Sequence, residues 1–306
     1  MKIAPCCPLA ALFVGSVNER PRAADRKSAA EVIAEARAGA DEHVGDLLRT
    51  CEGLRDFALT VGPAWRGRPI EGGPDRLVAL MFARTNGTYW AIVELLRMAF
   101  GEQAAMLARS LLEDMVDMHY ITVAPDAAVE RLPKQHEHAD MLMTDALKGQ
   151  PARFLEGVDP LQTYEPQRRE EFDKLFGRYG DVGWSGLNIH QRVAAIENLW
   201  EESGERDMLN FFRAVVQRAH NQTLHVSGSA LASLIRSEDD HGLRLKFGPG
   251  PEHMPATAFA AFWIYSQAVR LILERFAFPR DTKSVFYDLY FRGLRTFNSY
   301  QATARE

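Results

Sequence analysis

Helical periodicity in the apolar residues is the feature that most constrains the fold of this chain. In the segment from Asp75 to Phe100, for example, Leu77, Leu80 and Met81 stand at i, i+3 and i+4, a spacing that lines one face of a helix. Glycine and proline separate several such segments, and no strand pattern recurs with helical crossovers, which excludes an α/β sheet. We therefore predict an all-α fold, a multi-helix bundle.

The predicted bundle has three parts along the chain. Residues 1–24 form an irregular N-terminus, residues 25–62 a long N-terminal helix, and residues 74–300 a helical domain. Ser28 and Glu31 form a capping-box pair near the start of the long helix, and Asn188 with Gln191 marks a later helix start. The alternating run near 241–250, bounded by glycine and proline, predicts a short β-hairpin or an exposed loop.

Composition narrows the function classes. The chain has 36 basic and 41 acidic residues, so its net charge is −5. This negative charge excludes a protein that coats nucleic acid in general, but it leaves room for a local basic patch. The chain has three cysteines and no Cys-x-x-Cys pair, which excludes zinc-finger and thioredoxin-like sites and favours the reducing cytoplasm. Since the chain lacks phosphate-loop and dinucleotide-binding glycine motifs, we expect no cofactor.

Membrane insertion and secretion are not expected from the sequence. No uninterrupted apolar stretch approaches the roughly 20 residues that a membrane span requires, so we predict a soluble protein. The first seventeen residues carry a basic start and an apolar middle, as a signal peptide does, but Pro5 and Pro8 interrupt them. We interpret them as an irregular or overextended start.

The predicted helix 102–124 has one polar half, formed by Arg109, Ser110, Glu113, Asp114 and Asp117. Arg109 and Glu113 are i, i+4 neighbours and can form an ion pair. One interpretation is a solvated face, on which such a pair contributes only a few tenths of a kcal/mol. The other is a polar side that meets another helix. His119 lies on the apolar half, and we interpret it as a core histidine.

The second helix of interest, predicted over 207–236, carries two arginine–histidine pairs. Arg213 precedes His220 by seven residues and Arg218 precedes His225 by seven, with Asn221 between the two pairs. Residues seven apart lie on the same helix face. An arginine can stabilise the charge that develops on a phosphodiester during cleavage, and a histidine can act as acid or base near neutral pH. The alternative is a polar face with ordinary histidines.

Together these helices resemble the prokaryotic family catalogued as domain of unknown function 5677. The resemblance rests on an Arg-Ser-x-x-Glu helix at 109–113, on Trp184-Ser185-Gly186, and on the aromatic-rich segment from Phe211 to His225-Val226-Ser227. It covers roughly residues 76–231 and implies an all-helical fold without a known activity. It also implies that Arg109, Glu113, His225 and Ser227 belong to one site.

The arginine–histidine spacing is also similar to that of the HEPN ribonucleases, helical proteins of bacterial toxin and antiviral systems. Their signature is an arginine, four to six residues, and then a histidine on one helix, and they usually act across a dimer interface. This similarity implies metal-independent RNA cleavage by a homo-oligomer. On that reading Arg218, His225 and Glu113 are catalytic, and Arg109, Arg213, His220, Asn221 and Ser227 bind the substrate.

A non-catalytic binding or scaffolding module, in which the same Arg/Glu/His cluster is structural, is the competing function. His136, His138 and Asp140 are close enough to be metal ligands, but we interpret them as an exposed polar turn and predict no metal site.

Overall fold

A computed structural model of the chain describes residues 28–65, 72–148, 150–151, 165–178, 182–200, 206–214, 216, 235–239, 242–245 and 253–303. Its helices are α1 (Ala29–Trp65), α2 (Pro74–Arg97), α3 (Gly101–Val123), α4 (Pro125–Leu147), α5 (Pro166–Phe176), α6 (Ile189–Ile196), α7 (206–214), α8 (Met254–Arg275) and α9 (Arg280–Thr303). Helix therefore dominates the described residues, which confirms the all-α class.

Side-chain caps and prolines determine where several helices begin. Ser28 and Glu31 exchange both capping-box hydrogen bonds ahead of α1, at 2.6 and 3.2 Å, and Asn188 and Gln191 do the same ahead of α6, both at 3.0 Å. Prolines occupy the first position of α2, α4 and α5, where the missing N–H has no helical partner to lose. Helix α1 is kinked at Val44, whose φ is −139°.

A two-stranded antiparallel ladder interrupts the helices. Strand β1 (Ile235–Asp239) pairs with β2 (Gly242–Leu245). The hairpin predicted near 241–250 overlaps only β2, and the helix prediction is wrong at residues 235 and 236, which belong to β1. Ile235 is β-branched and pairs with Leu245 across the ladder, which favours the strand over a further helical turn.

Helices α3 and α8 form the centre of the fold. Helix α8 packs against α1, α2 and α3, and α3 also packs against α6. By length and apolar character α8 would qualify as a membrane span, but 78% of its apolar window is buried among the other helices. The helix contains Gln267 and Arg270, and we interpret it as the core helix of this bundle.

Candidate functional site

The polar half of α3 is sheltered by the rest of the fold. None of its five polar residues is fully exposed: Arg109, Ser110, Glu113 and Asp117 are partly buried and Asp114 is buried. The predicted ion pair is present, with Arg109 Nε 3.0 Å from Glu113 Oε1 and side chains 29% and 38% exposed. This polar half therefore meets other parts of the chain, as the second of the two interpretations requires.

Asp117 joins α3 to α6 and to the loop before it. Arg192 of α6 donates a hydrogen bond to one carboxylate oxygen, and the indole Nε1 of Trp184 donates to the other at 3.2 Å. Burial raises the pKa of Asp117, and the Arg192 charge opposes that rise. Both carboxylate oxygens are thus occupied by partners within the protein, and one partner is the tryptophan of the Trp-Ser-Gly motif.

Asp114 is the most sheltered carboxyl of the α3 polar half. Arg84 Nε of α2 lies 3.2 Å from Asp114 Oδ2, although that oxygen accepts no hydrogen bond from the described residues. Burial raises the pKa of Asp114 to about 6, Arg84 opposes the rise, and the Asp117 charge adds to it. Asp114 is therefore a carboxyl that exchanges a proton close to neutral pH.

His119 is buried on the opposite, apolar half of α3, where the sequence analysis predicts a core histidine. Burial and, to a smaller extent, the nearby Arg270 charge lower its pKa to about 3. The backbone of Gln267 provides a hydrogen-bond partner for the ring, while Nε2 has no partner among the described residues. His119 is therefore a neutral, partly satisfied core histidine.

A series of stacked and tilted rings connects α3 to α7. The His119 ring lies 5.0 Å from that of Trp200, which lies 5.7 Å from Trp263 of α8. Trp263 in turn stacks on Phe212 of α7 at 4.9 Å. Trp200, Trp263 and Phe212 are almost completely buried. Two indole rings therefore separate α3 from the start of the helix for which the arginine–histidine pairs are predicted.

The structure describes three of the eight predicted site residues. Arg109 and Glu113 form their pair on α3, and Arg213 is partly buried on α7, one residue after Phe212. Five predicted residues lie outside the described ranges, namely Arg218, His220, Asn221, His225 and Ser227. Their position relative to Glu113 therefore remains a prediction.

The three residues considered as metal ligands lie in α4, so the predicted turn is wrong, and the predicted exposure holds for His136 and Asp140 but not for His138. His136 and Asp140 are on the outer face of α4, with His136 Nε2 3.6 Å from Asp140 Oδ2. His138 is instead buried against Phe172 and Phe176 of α5. Residues two apart on a helix point in different directions, so this stretch gathers no metal-ligand set. The ranges given above contain no group of three or more side chains able to hold a metal ion.

The residues that sequence analysis missed are the partners of α3. Arg84, Arg192 and Trp200 have no local motif that marks them, since each is defined by the helix it packs against. The burial of Asp114 could have been predicted, because this residue lies one position after Glu113 and closer to the apolar half of α3.

Comparison with known proteins gives a family assignment without an activity. No curated protein and no solved structure matches the chain. The model of a family of unknown function (DUF5677) matches residues 75–242, a span that contains the polar half of α3, the Trp184 loop and α7. That span is more than half of the chain, and it confirms the resemblance seen in the sequence. The chain belongs to this family of unknown function, DUF5677.

Proposed function

We propose that the protein is a HEPN-like, metal-independent ribonuclease of a cytoplasmic toxin or antiviral defence system, acting on RNA as a homo-oligomer. In this proposal His225 is the acid/base, Arg218 holds the scissile phosphate and Glu113 orients a partner group. Arg213 and His220 are the alternative arginine–histidine pair. Arg109, Asn221 and Ser227 contact the substrate.

The observation that carries the proposal is the ring series His119–Trp200–Trp263–Phe212. These buried contacts anchor Phe212, near the end of α7, two rings away from the apolar half of α3. A helix that continues from α7 would thus begin two rings away from the element that carries Glu113. The proximity supports a site shared by residues about 100 positions apart in the sequence.

The difference between the carboxylates of α3 supports the role of Glu113. Asp117 is occupied by Arg192 and Trp184, and Asp114 is buried beside Arg84. Glu113 keeps more than a third of its side chain exposed, next to the Arg109 guanidinium. An accessible carboxylate beside an arginine can hydrogen-bond a histidine while the arginine attracts phosphate.

Cleavage of a fluorogenic single-stranded RNA, in buffer containing EDTA, tests the catalytic role. We expect His225→Ala to reduce the cleavage rate by about 10²-fold or more. The matched control is His136→Ala, which removes a histidine that is 81% exposed on α4 and should cleave as wild type does. Equal cleavage by wild type and His225→Ala, or cleavage by neither, would contradict the proposal.

The second candidate is a non-catalytic binding or scaffolding module. It is favoured by the partners of Asp117, because both donors come from within the protein and link separate elements. If the cluster is structural, Glu113→Ala should lower the free energy of unfolding by roughly 1–3 kcal/mol. If Glu113 serves catalysis, the same variant should lose activity and keep or improve its stability.

A further inference from the structure

A solvent-open groove of about 900 Å³ lies between α1 and α9. Arg109, Glu113 and Arg213, the residues of the proposed ribonuclease site that the structure describes, are not among the residues that line it. Gly53 and Gly293 are among the residues that line it, and Leu47 and Leu289 supply apolar surface. The volume falls within the range of small-molecule and cofactor sites.

The groove carries an excess of positive charge in a protein whose net charge is −5. Arg49, Arg292 and Arg295 line it, and Asp46 is the single carboxylate among the lining residues that the structure describes. Arg49 already pairs with Asp46 at 2.6 Å. Arg292 and Arg295 are exposed and form no ion pair with any residue that the structure describes.

A second cavity, of about 350 Å³, is lined by residues of α1 and α2 and differs from the groove in its charge balance. Its Arg97 is balanced by Glu52 at 3.1 Å and Glu94 at 3.6 Å. The charge of Arg292 and Arg295 is not compensated in this way. The two arginines are three residues apart on α9 and therefore project from the same face.

The remaining side chains of the groove suit a ligand with both a charged and a planar part. Tyr300 contributes an aromatic ring to the lining, on which a base can stack. Thr50 and Thr296 donate their hydroxyl protons to carbonyls of their own helices, which leaves their oxygens as acceptors for ligand donors.

We propose that this groove binds a phosphorylated ligand of mononucleotide size. Arg292 and Arg295 would bind the phosphate, because planar guanidinium groups match phosphate oxygens in paired hydrogen bonds. Leu47, Leu289 and Tyr300 would contact the apolar or aromatic part. No described residue of the proposed ribonuclease centre lines the groove, and ligand binding here does not require RNA cleavage.

Titration calorimetry at constant ionic strength tests the site with ATP, adenosine and a twelve-nucleotide single-stranded RNA as probes. We expect ATP to bind, and the Arg292→Gln/Arg295→Gln double variant to weaken that binding at least about tenfold. The control is Arg280→Gln, which removes an exposed arginine of α9 outside the groove and should leave the affinity unchanged. Thermal unfolding of each variant verifies that it is folded.

Each other outcome overturns the proposal. If none of the probes binds, the groove is not a ligand site of this class. If adenosine binds as tightly as ATP, or if the double variant binds ATP as wild type does, the arginines do not recognise phosphate. If ATP does not bind, and the RNA binds to the wild type but not to the double variant, the groove is a nucleic-acid surface.

Discussion

Asp117 of α3 and Arg192 of α6, 75 residues apart in sequence, form an ion pair in which both side chains are largely buried, with 15% and 14% of their surface exposed. The indole of Trp184 completes the hydrogen bonding of the carboxylate. Burying two charges is costly, and a full set of partners is what makes the pair tolerable. The pair therefore fixes how the Trp184 loop and α6 lie against α3.

Removal of one partner should be more damaging than removal of both. Arg192→Met leaves Asp117 buried without its cation, and we expect a loss of about 3–5 kcal/mol in the free energy of unfolding. The double variant Asp117→Leu/Arg192→Met should recover a substantial part of that loss. Urea denaturation measures the free energy of unfolding of both variants. The control is Arg49→Met, which breaks the exposed pair with Asp46 and should lower the free energy of unfolding by less than about 1 kcal/mol. Additive losses at Asp117 and Arg192 would contradict the account.

Asp114 should make the protein less stable as the pH rises. Its pKa is about 6 in the folded protein against 3.8 for an ordinary aspartate, so the folded state binds the proton more tightly. The resulting stabilisation is present below pH 4 and is lost as the pH rises through 6, at most about 3 kcal/mol. Asp114→Asn lacks this dependence, so its stability relative to wild type should improve from pH 4 to pH 7. A difference that stays constant with pH would argue against a raised pKa.

His119 should act in the opposite direction. Its pKa falls from 6.5 to about 3 on folding. Its contribution to the free energy of unfolding is therefore complete above pH 6.5 and is lost as the pH falls below that value. The free energy of unfolding changes by at most about 1.4 kcal/mol per pH unit through this one group. His119→Gln does not titrate, and the stability gap between it and wild type should narrow between pH 7 and pH 5. Parallel stability curves for the two proteins would refute this.

Gly293 should not tolerate a methyl group. A Cβ at this position would lie 2.1 Å from Phe262 Cζ, so Gly293→Ala forces α9 away from α8. We expect this variant to lose about 1–3 kcal/mol or more in the free energy of unfolding. Gly87 on α2 is the matched control, because a Cβ there meets nothing within 4 Å. Gly87→Ala should stabilise by about 1 kcal/mol through helix propensity. Thermal unfolding of both variants tests the pair, and a neutral Gly293→Ala would contradict the close packing.

The sequence contains enough information to predict the helices and the polar face of α3. Proline, glycine and the Asn188–Gln191 capping box mark helix ends through local backbone chemistry. Periodicity likewise identifies Arg109 and Glu113 as neighbours on one face. These features depend on residues only a few positions apart.

The partners across helices could not be predicted in the same way. Periodicity tells which face Asp117 lies on, but not that Arg192 and Trp184 will meet it. His138 is buried by Phe172 and Phe176 of α5, more than thirty positions away in the sequence, so its local polar neighbours suggested an exposed turn. Such contacts depend on how the helices assemble.

A double-mutant cycle on RNA cleavage tests most directly whether α3 and the predicted Arg218–His225 segment form one site. The rates to compare are those of wild type, Glu113→Gln, His225→Ala and the double variant, all measured under single-turnover conditions. We predict that the double variant loses no more activity than His225→Ala alone, because residues that act as a unit are not additive. Losses that multiply, or cleavage that depends on neither residue, would contradict a shared site.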